Sequence, residues 1–220
     1  MSTGDMAALE QTSLARLDAD FRLAERVSES RLVARLKARD LEAFDELVTL
    51  FERPVHSICY RLLGDAEEAR DAAQETFIKV YNSLGGFRGE SGLKTWIYRI
   101  AVNQAINQQR WWRRRHREQT VSLELSRTDS RNDPDAVLDR SLPSRSLTPE
   151  QEAISRERTD RIVTALGQIR TEYRVALVLR EIEEMSYEEI AETLSISVGT
   201  VKSRIARGRE ELRRRVKDFI

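Results

Sequence analysis

The sequence predicts an all-α fold of two small helical domains joined by a flexible linker. Three observations predict it. Charged residues make up 34% of the 220 residues and aromatics 6%, with only 9 Gly and 4 Pro, a balance that suits amphipathic helices. Apolar residues recur at spacings of three and four on both sides of residues 118–149, with Ser, Asp and Gly at the points where the pattern breaks. The stretch between has no apolar period, is enriched in Ser, Asp and Thr, and holds Pro134, Pro143 and Pro149.

Residues 1–27 are polar and acidic with scattered Leu9, Leu14, Leu17 and Leu23, and form an N-terminal extension to which no function is assigned. The first domain spans 28–117. Ser28 to Ala38 is a short helix with Leu32, Val33 and Leu36 inward. Asp40 caps a longer helix whose apolar face runs through Phe44, Leu47, Val48, Phe51, Val55, Ile58, Cys59 and Leu62, and Pro54 within it predicts a kink. Gly64-Asp65 ends that helix and caps the next, from Ala66 to Leu84. Gly85-Gly86 breaks the pattern, Phe87 to Gly92 is a loop, and a last helix extends from Leu93 to about Arg117.

The linker, 118–149, carries more acids than arginines. The second domain is 150–220. Glu150 to Gly167 begins it, and Thr171 caps a helix bearing Val175, Ala176, Leu177 and Leu179. Ser186 followed three residues later by Glu189 is a capping box, so a helix starts at Tyr187 and buries Ile190, Ala191 and Leu194. Ser195-Ile196-Ser197 breaks it, and Ser197 caps a final helix running toward Lys217. There Val198, Val201, Ile205 and Leu212 share one face, with Thr200, Ser203, Arg204 and Arg207 opposite.

Charge is distributed unevenly although the net charge is zero. The five arginines between Gln108 and Arg117 meet no acid, and from Ser197 to Lys217 eight Lys or Arg face two Glu. Two such patches suit phosphate backbones, while the acidic stretches limit indiscriminate binding. Cys59, the single cysteine, lies in an apolar run and reads as core. His56 and His116 have no Cys, Asp or Glu at metal or triad spacing, and no Gly-rich phosphate loop is present. Glu183-Glu184 and Glu188-Glu189 read as solvated or capping acids rather than a general acid/base pair. These features point away from an enzyme and from any metal or cofactor. With no signal peptide and no apolar run of membrane length, the expectation is a cytoplasmic chain without membrane insertion.

Two segments carry the chemistry. A short helix, a three-residue turn and a longer basic helix make a helix-turn-helix, whose second helix enters the DNA major groove. The helix from Leu93 projects Trp96, Arg99, Asn103, Asn107, Arg110 and Arg114 onto one stripe, with Ile97, Ala101, Val102, Ala105 and Trp112 on the other side. Amides and guanidinium groups hydrogen-bond base edges and phosphates, and aromatic faces stack unpaired bases, so the stripe suits single-stranded or locally opened DNA. Trp96 is alternatively a core aromatic, and Asn103 a packing amide.

Together these segments resemble an RNA polymerase sigma factor of the extracytoplasmic-function type, in the sigma-70 superfamily. The first half is similar to the family's second sigma domain through Asp71-Ala72-Ala73-Gln74-Glu75-Thr76-Phe77-Ile78-Lys79, Phe87-Arg88-Gly89-Glu90-Ser91 and Thr95-Trp96-Ile97-Tyr98-Arg99-Ile100-Ala101-Val102-Asn103. Ser186-Tyr187-Glu188-Glu189-Ile190-Ala191 and Val198-Gly199-Thr200-Val201-Lys202-Ser203-Arg204 resemble its fourth. The resemblance implies binding to core RNA polymerase through Asp71, Gln74, Glu75 and Lys79, with Phe77 anchoring that helix in its own core. It also implies reading of the minus-10 element as opened strand by Phe87, Arg88, Trp96, Arg99, Asn103, Asn107, Arg110 and Arg114. Thr200, Lys202, Ser203, Arg204 and Arg207 would read the minus-35 element as duplex. An anti-sigma protein is the further partner, and the free chain is expected to be a monomer. The alternative is a stand-alone helix-turn-helix regulator that binds duplex DNA without polymerase.

Overall fold

The structure, a computed structural model, describes residues 27–119 and 149–217. The N-terminal extension and the linker lie outside the described residues apart from their edges. Among the described residues every regular element is helical, and no helix is long and apolar enough to cross a membrane. The chain divides into two compact units, 1–47 and 48–220.

The smaller unit contains α1 (27–37) and the first turns of α2 (Leu41–Leu63), with Leu32, Leu36, Ala43 and Leu47 buried. The chain reverses at Arg39, in the left-handed region at φ 61°. Asp40 then caps α2 as its sequence position predicts, accepting from the backbone N–H of Glu42 at 3.0 Å and Ala43 at 3.3 Å. Arg35 donates to Asp40 at 2.7 Å and to Glu46 at 2.9 Å, and its hydrogen bond holds the Asp40 carboxyl below its ordinary range.

In the larger unit α2 continues to Leu63 as one uninterrupted helix that contains Pro54. Gly64 ends it at φ 80°, a backbone state that favours glycine, and donates its N–H to the Tyr60 carbonyl at 2.8 Å. Asp65 caps α3 (Ala66–Ser83) through the Glu68 N–H at 2.9 Å. Ala69, Ala72 and Ala73 are buried, so α3 packs on α4 (Leu93–Gln119) across a face of small side chains. From α4 come Leu93, Ile97, Tyr98, Ala101, Val102 and Ala105. A 3₁₀ turn over Leu84–Gly86 separates the two helices where the paired glycines predicted a break.

The second half of this unit holds α5 (Pro149–Gly167), α6 (Thr171–Leu177), one π-helical turn (Val178–Ile182), α7 (Tyr187–Leu194) and α8 (Val198–Val216). Its core gathers Val163, Leu166, Ile169, Val175, Leu179, Met185, Ile190, Val201 and Ile205, each worth about 1.5–3 kcal/mol when fully buried. Thr171 is not the cap of α6. That position belongs to Arg170, which makes no side-chain cap bond, and the Thr171 hydroxyl instead donates to Gln109 Oε1 of α4 at 2.9 Å.

Helices α6 and α8 approach closely at Gly208. A Cβ there would sit 2.9 Å from Leu177 Cγ and 3.3 Å from Tyr173 Cβ. Gly208→Val therefore overpacks this seam and lowers stability by roughly 1–3 kcal/mol, read as a shifted urea midpoint at constant slope. An unchanged midpoint would mean that α6 and α8 have room to part.

Candidate nucleic-acid interface

Local signals build the helix-turn-helix. The capping box closes as predicted: Ser186 Oγ accepts from Glu189 N–H at 3.1 Å and Glu189 Oε2 from Ser186 N–H at 2.7 Å. Ser195 ends α7 in the left-handed conformation at φ 53°, and Ile196 N–H returns to the Ala191 carbonyl at 3.0 Å. Ser197 Oγ accepts from Thr200 N–H at 3.2 Å and starts α8. Val201, Ile205 and Gly208 turn inward, while Val198 and Leu212 are half-buried at the margin of that face.

Of the side chains expected to meet duplex DNA, Lys202, Ser203 and Arg207 are exposed, and Thr200 and Arg204 half-buried. Neighbouring helices hold the basic ones in place. Arg204 lies 3.8 Å from Glu172, and Arg207 donates to the Tyr173 hydroxyl at 3.3 Å, both partners on α6. Lys202 sits over the Tyr187 ring at 5.7 Å, with Arg180 over the same ring at 4.9 Å. Ser203 donates to the Thr200 carbonyl at 2.9 Å.

On α4 the stripe divides into two parts. Asn103, Asn107, Arg110 and Arg114 are exposed in one row. Nearer the helix start, Trp96 and Arg99 are half-buried. Phe87 is only 5% exposed and packs against Trp96 with ring centroids 5.0 Å apart. Its place is beneath the loop, whose accessible side chains include Arg88 and Glu90, 3.8 Å apart. The accessible aromatic is Trp111, which is 44% exposed, set edge-on to Trp112 at 5.2 Å and covered by the Arg115 guanidinium at 4.8 Å. The sequence marks the stretch Asn107 to Trp112 as bulky but leaves Trp111 out of the minus-10 set, though an indole inside an arginine run was a usable signal.

On α3, Asp71, Gln74 and Lys79 are exposed and Glu75 is half-buried, 3.8 Å from Lys79. Lys79 also donates to Gln104 of α4. Phe77 is half-buried, and Ile78 stands 54% exposed among these polar groups.

Two further residues were missed. Arg174 is 1% exposed; its Nη1 donates to the Leu62 carbonyl at 2.6 Å, and its Nη2 to the carbonyls of Gly167 at 3.1 Å and Ile169 at 3.2 Å. The charge is met by backbone oxygens at or just beyond the ends of α2 and α5, where helix dipoles are negative. Glu183, expected to be a solvated or capping acid, is instead drawn into a polar cluster. Its Oε2 accepts from the Tyr98 hydroxyl at 2.8 Å and its Oε1 from Ser57 Oγ at 3.2 Å, and Lys94 donates to its carbonyl at 3.1 Å. Burial pushes its carboxyl above the usual range, against these hydrogen bonds and the charges of Arg61 and Lys94. The Tyr98 hydroxyl is pushed up by burial and by the carboxylate beside it. Arg99 completes the joint, donating to the Glu192 carbonyl of α7 at 2.7 Å.

Cys59 is buried and its thiol is pushed up to about 12 by burial. His56 stacks on Tyr60, its proton affinity lowered by burial. Among the described residues no three His, Cys, Asp or Glu side chains gather as a metal site.

Comparison with known proteins gives this arrangement its family. Residues 47–118 match the family described as Sigma-70 region 2, and residues 159–212 match Sigma-70, region 4. The chain is 33% identical over 187 residues to the ECF RNA polymerase sigma factor SigW of Bacillus subtilis (strain 168), across 85% of this chain and 96% of that protein. It is 38% identical over 184 residues to the RNA polymerase sigma-H factor of Pseudomonas aeruginosa, across 84% and 91%. Its fold is similar to that of the sigma factor RpoE, solved in complex with the anti-sigma factor NepR from Bartonella quintana, with a TM-score of 0.58 at 22% identity over 79% of this chain and 96% of the other. Helices α2 to α4 and the helix-turn-helix are thus the two regions of one family: the chain belongs to the extracytoplasmic-function RNA polymerase sigma factors and directs the initiation of transcription.

Proposed function

We propose that this sigma factor docks on core RNA polymerase through α3, reads the minus-10 element as opened strand along α4, and reads the minus-35 element as duplex through α8. The exposed row Asn103, Asn107, Arg110 and Arg114 carries the reading. A helix that spends its outer face on two amides and two guanidinium groups offers base-edge and phosphate contacts together. Arg88 and Arg99 add charge near its start, and Trp111 supplies a stacking surface. Phe87 and Trp96 form the floor of the loop that receives an unstacked base. Extruding that base costs a few kcal/mol, offset by these contacts.

On α3, Asp71, Gln74, Glu75 and Lys79 supply polar contacts for the polymerase, around the exposed apolar surface of Ile78. Thr200, Lys202, Ser203, Arg204 and Arg207 face the major groove. An anti-sigma protein is the further partner, by likeness to the complex above.

Run-off transcription with purified core polymerase on a promoter-fragment library tests this. Asn103→Ala with Asn107→Ala should lower promoter-specific transcript at least ten-fold while co-elution with polymerase persists. Full transcription by the double variant removes α4 from minus-10 reading. A chain that shifts duplex DNA alone and never co-elutes with polymerase reinstates the stand-alone regulator.

A further inference from the structure

Helix α4 presents its exposed row in a useful direction only if it is turned correctly on α3, and the small side chains of their seam fix that turn weakly. From α3 the seam takes Ala69, Ala72 and Ala73, and from α4 Ala101 and Ala105. Small side chains let two helices approach closely, but the ridges they raise are shallow and interlock little. A roll of about 20° carries a side chain roughly 5–6 Å from the helix axis through about 2 Å. That is enough to take an amide out of hydrogen-bonding range.

Two glutamines, each next in sequence to an asparagine of the row, tie α4 down. Gln104 and Gln108 are half-buried, whereas Asn103 and Asn107 are exposed. Gln108 Nε2 donates to the Glu68 carbonyl at 3.3 Å and also to the carboxylate of the same residue. Gln104 Oε1 accepts from the Lys79 ammonium. Glu68 lies in the first turn of α3, where its N–H is held by Asp65, and Lys79 lies near the other end, 3.8 Å from Glu75. The two holds are thus set ~16 Å apart along α3, at 1.5 Å per residue. Polar ties of this kind contribute little net stability, yet they are lost when donor and acceptor part by about 1 Å. They set orientation.

We propose that Gln104 and Gln108 are positioning residues for minus-10 reading: held by Lys79 and Glu68 of α3, they set the roll of α4 and thereby the direction in which Asn103 and Asn107 meet the opened strand. The proposal rests on the promoter reading above. Neither glutamine touches DNA. Lys79, counted among the docking residues, serves α4 as well.

The opposite chemistry of the two holds separates positioning from direct contact. Gln104 accepts from a cation, so Gln104→Glu keeps its bond. Gln108 donates to an anion, so Gln108→Glu loses both donors and sets two carboxylates against each other. If these amides met DNA instead, either glutamate would face the phosphates with like charge and both variants would lose binding. Exchanging the pair supplies the rescue: Gln108→Glu with Glu68→Gln returns a donor and an acceptor in inverted order.

The probe is a promoter fragment recovered from the run-off library, its minus-10 element opened by mismatches, with single-base variants of that element. Holoenzyme affinity across the set gives a discrimination ratio. Co-elution with core polymerase and the response to minus-35 variants are measured beside it. Gln108→Glu should lower the minus-10 ratio about ten-fold, the exchanged pair should restore it to within about three-fold, and Gln104→Glu should change it less than about two-fold. Core binding and minus-35 discrimination should stay in place throughout. If Gln108→Glu also loses core binding, Gln108→Leu, which removes the donors without adding charge, carries the same expectation. Equal losses for the two glutamates without rescue overturn positioning in favour of direct contact. Unchanged ratios in all variants overturn it in favour of the apolar seam. If the wild-type holoenzyme shows no minus-10 discrimination, it is the promoter reading that fails, and the proposal falls with it.

Discussion

Arg174→Leu lowers the stability of the larger unit by about 1–3 kcal/mol, through the carbonyls it leaves without a donor. Leucine fills much of the volume but offers no donor to the carbonyls of Leu62, Gly167 and Ile169, which the guanidinium now satisfies at 2.6–3.2 Å. The acceptors of Leu62 and Ile169 are buried, the one of Gly167 partly so, and a buried acceptor left without a partner costs about 1–3 kcal/mol. Urea unfolding measures the loss. Arg161→Ala, which removes an exposed i,i+4 pair with Glu157, is the control expected to leave the midpoint nearly in place. If the two substitutions have similar small effects, the carbonyls find other donors and Arg174 is not what joins α2 to α5.

The second large effect is expected on DNA. With α8 reading the minus-35 element as proposed, Arg204→Ala should cost roughly 1–3 kcal/mol of discrimination at one base position, the guanidinium lying 3.8 Å from Glu172 with its fork available to a base edge. Lys202→Ala should behave differently. Its ammonium rests on the Tyr187 ring as a point charge at 5.7 Å, so its loss weakens all sequences alike and reduces the salt slope by about one phosphate. Titrating holoenzyme against single-base variants of the element at two salt concentrations separates the two. Equal, sequence-independent losses for both substitutions would make Arg204 a phosphate clamp as well.

What the sequence made legible was what neighbours in the chain decide. Asp40, Asp65, Ser186 and Ser197 each cap the helix they precede, because a cap is a contract between residues two or three apart. The apolar periods likewise marked Ile97, Ala101, Val102 and Ala105 as core. Residues whose partners lie far along the chain escaped. Tyr98 and Glu183 are 85 positions apart, and Arg174 and Leu62 are 112 apart. Nothing in the local pattern separates a half-buried glutamate from a solvated one, or an arginine among valines and leucines from one that snorkels to water. Gly208 was missed for the same reason, since only the approach of α6 explains it. Thr171 shows the opposite error: its residue type often caps a helix, while its hydroxyl here serves Gln109 on another helix.

The π-helical turn over Val178–Ile182 adds a hereditary consequence. There the Glu183 N–H reaches back five residues to the Val178 carbonyl at 3.2 Å, so the turn accommodates one residue more than a regular helix would. Deleting one residue from it returns the ladder to its ordinary step and rotates the chain beyond the turn by about 100° relative to α6. Glu183 would then leave Tyr98 with every side chain of the cluster still present. The contact between Glu183 and Tyr98 is in this sense written as a length, and a one-codon deletion shifts it without changing either side chain.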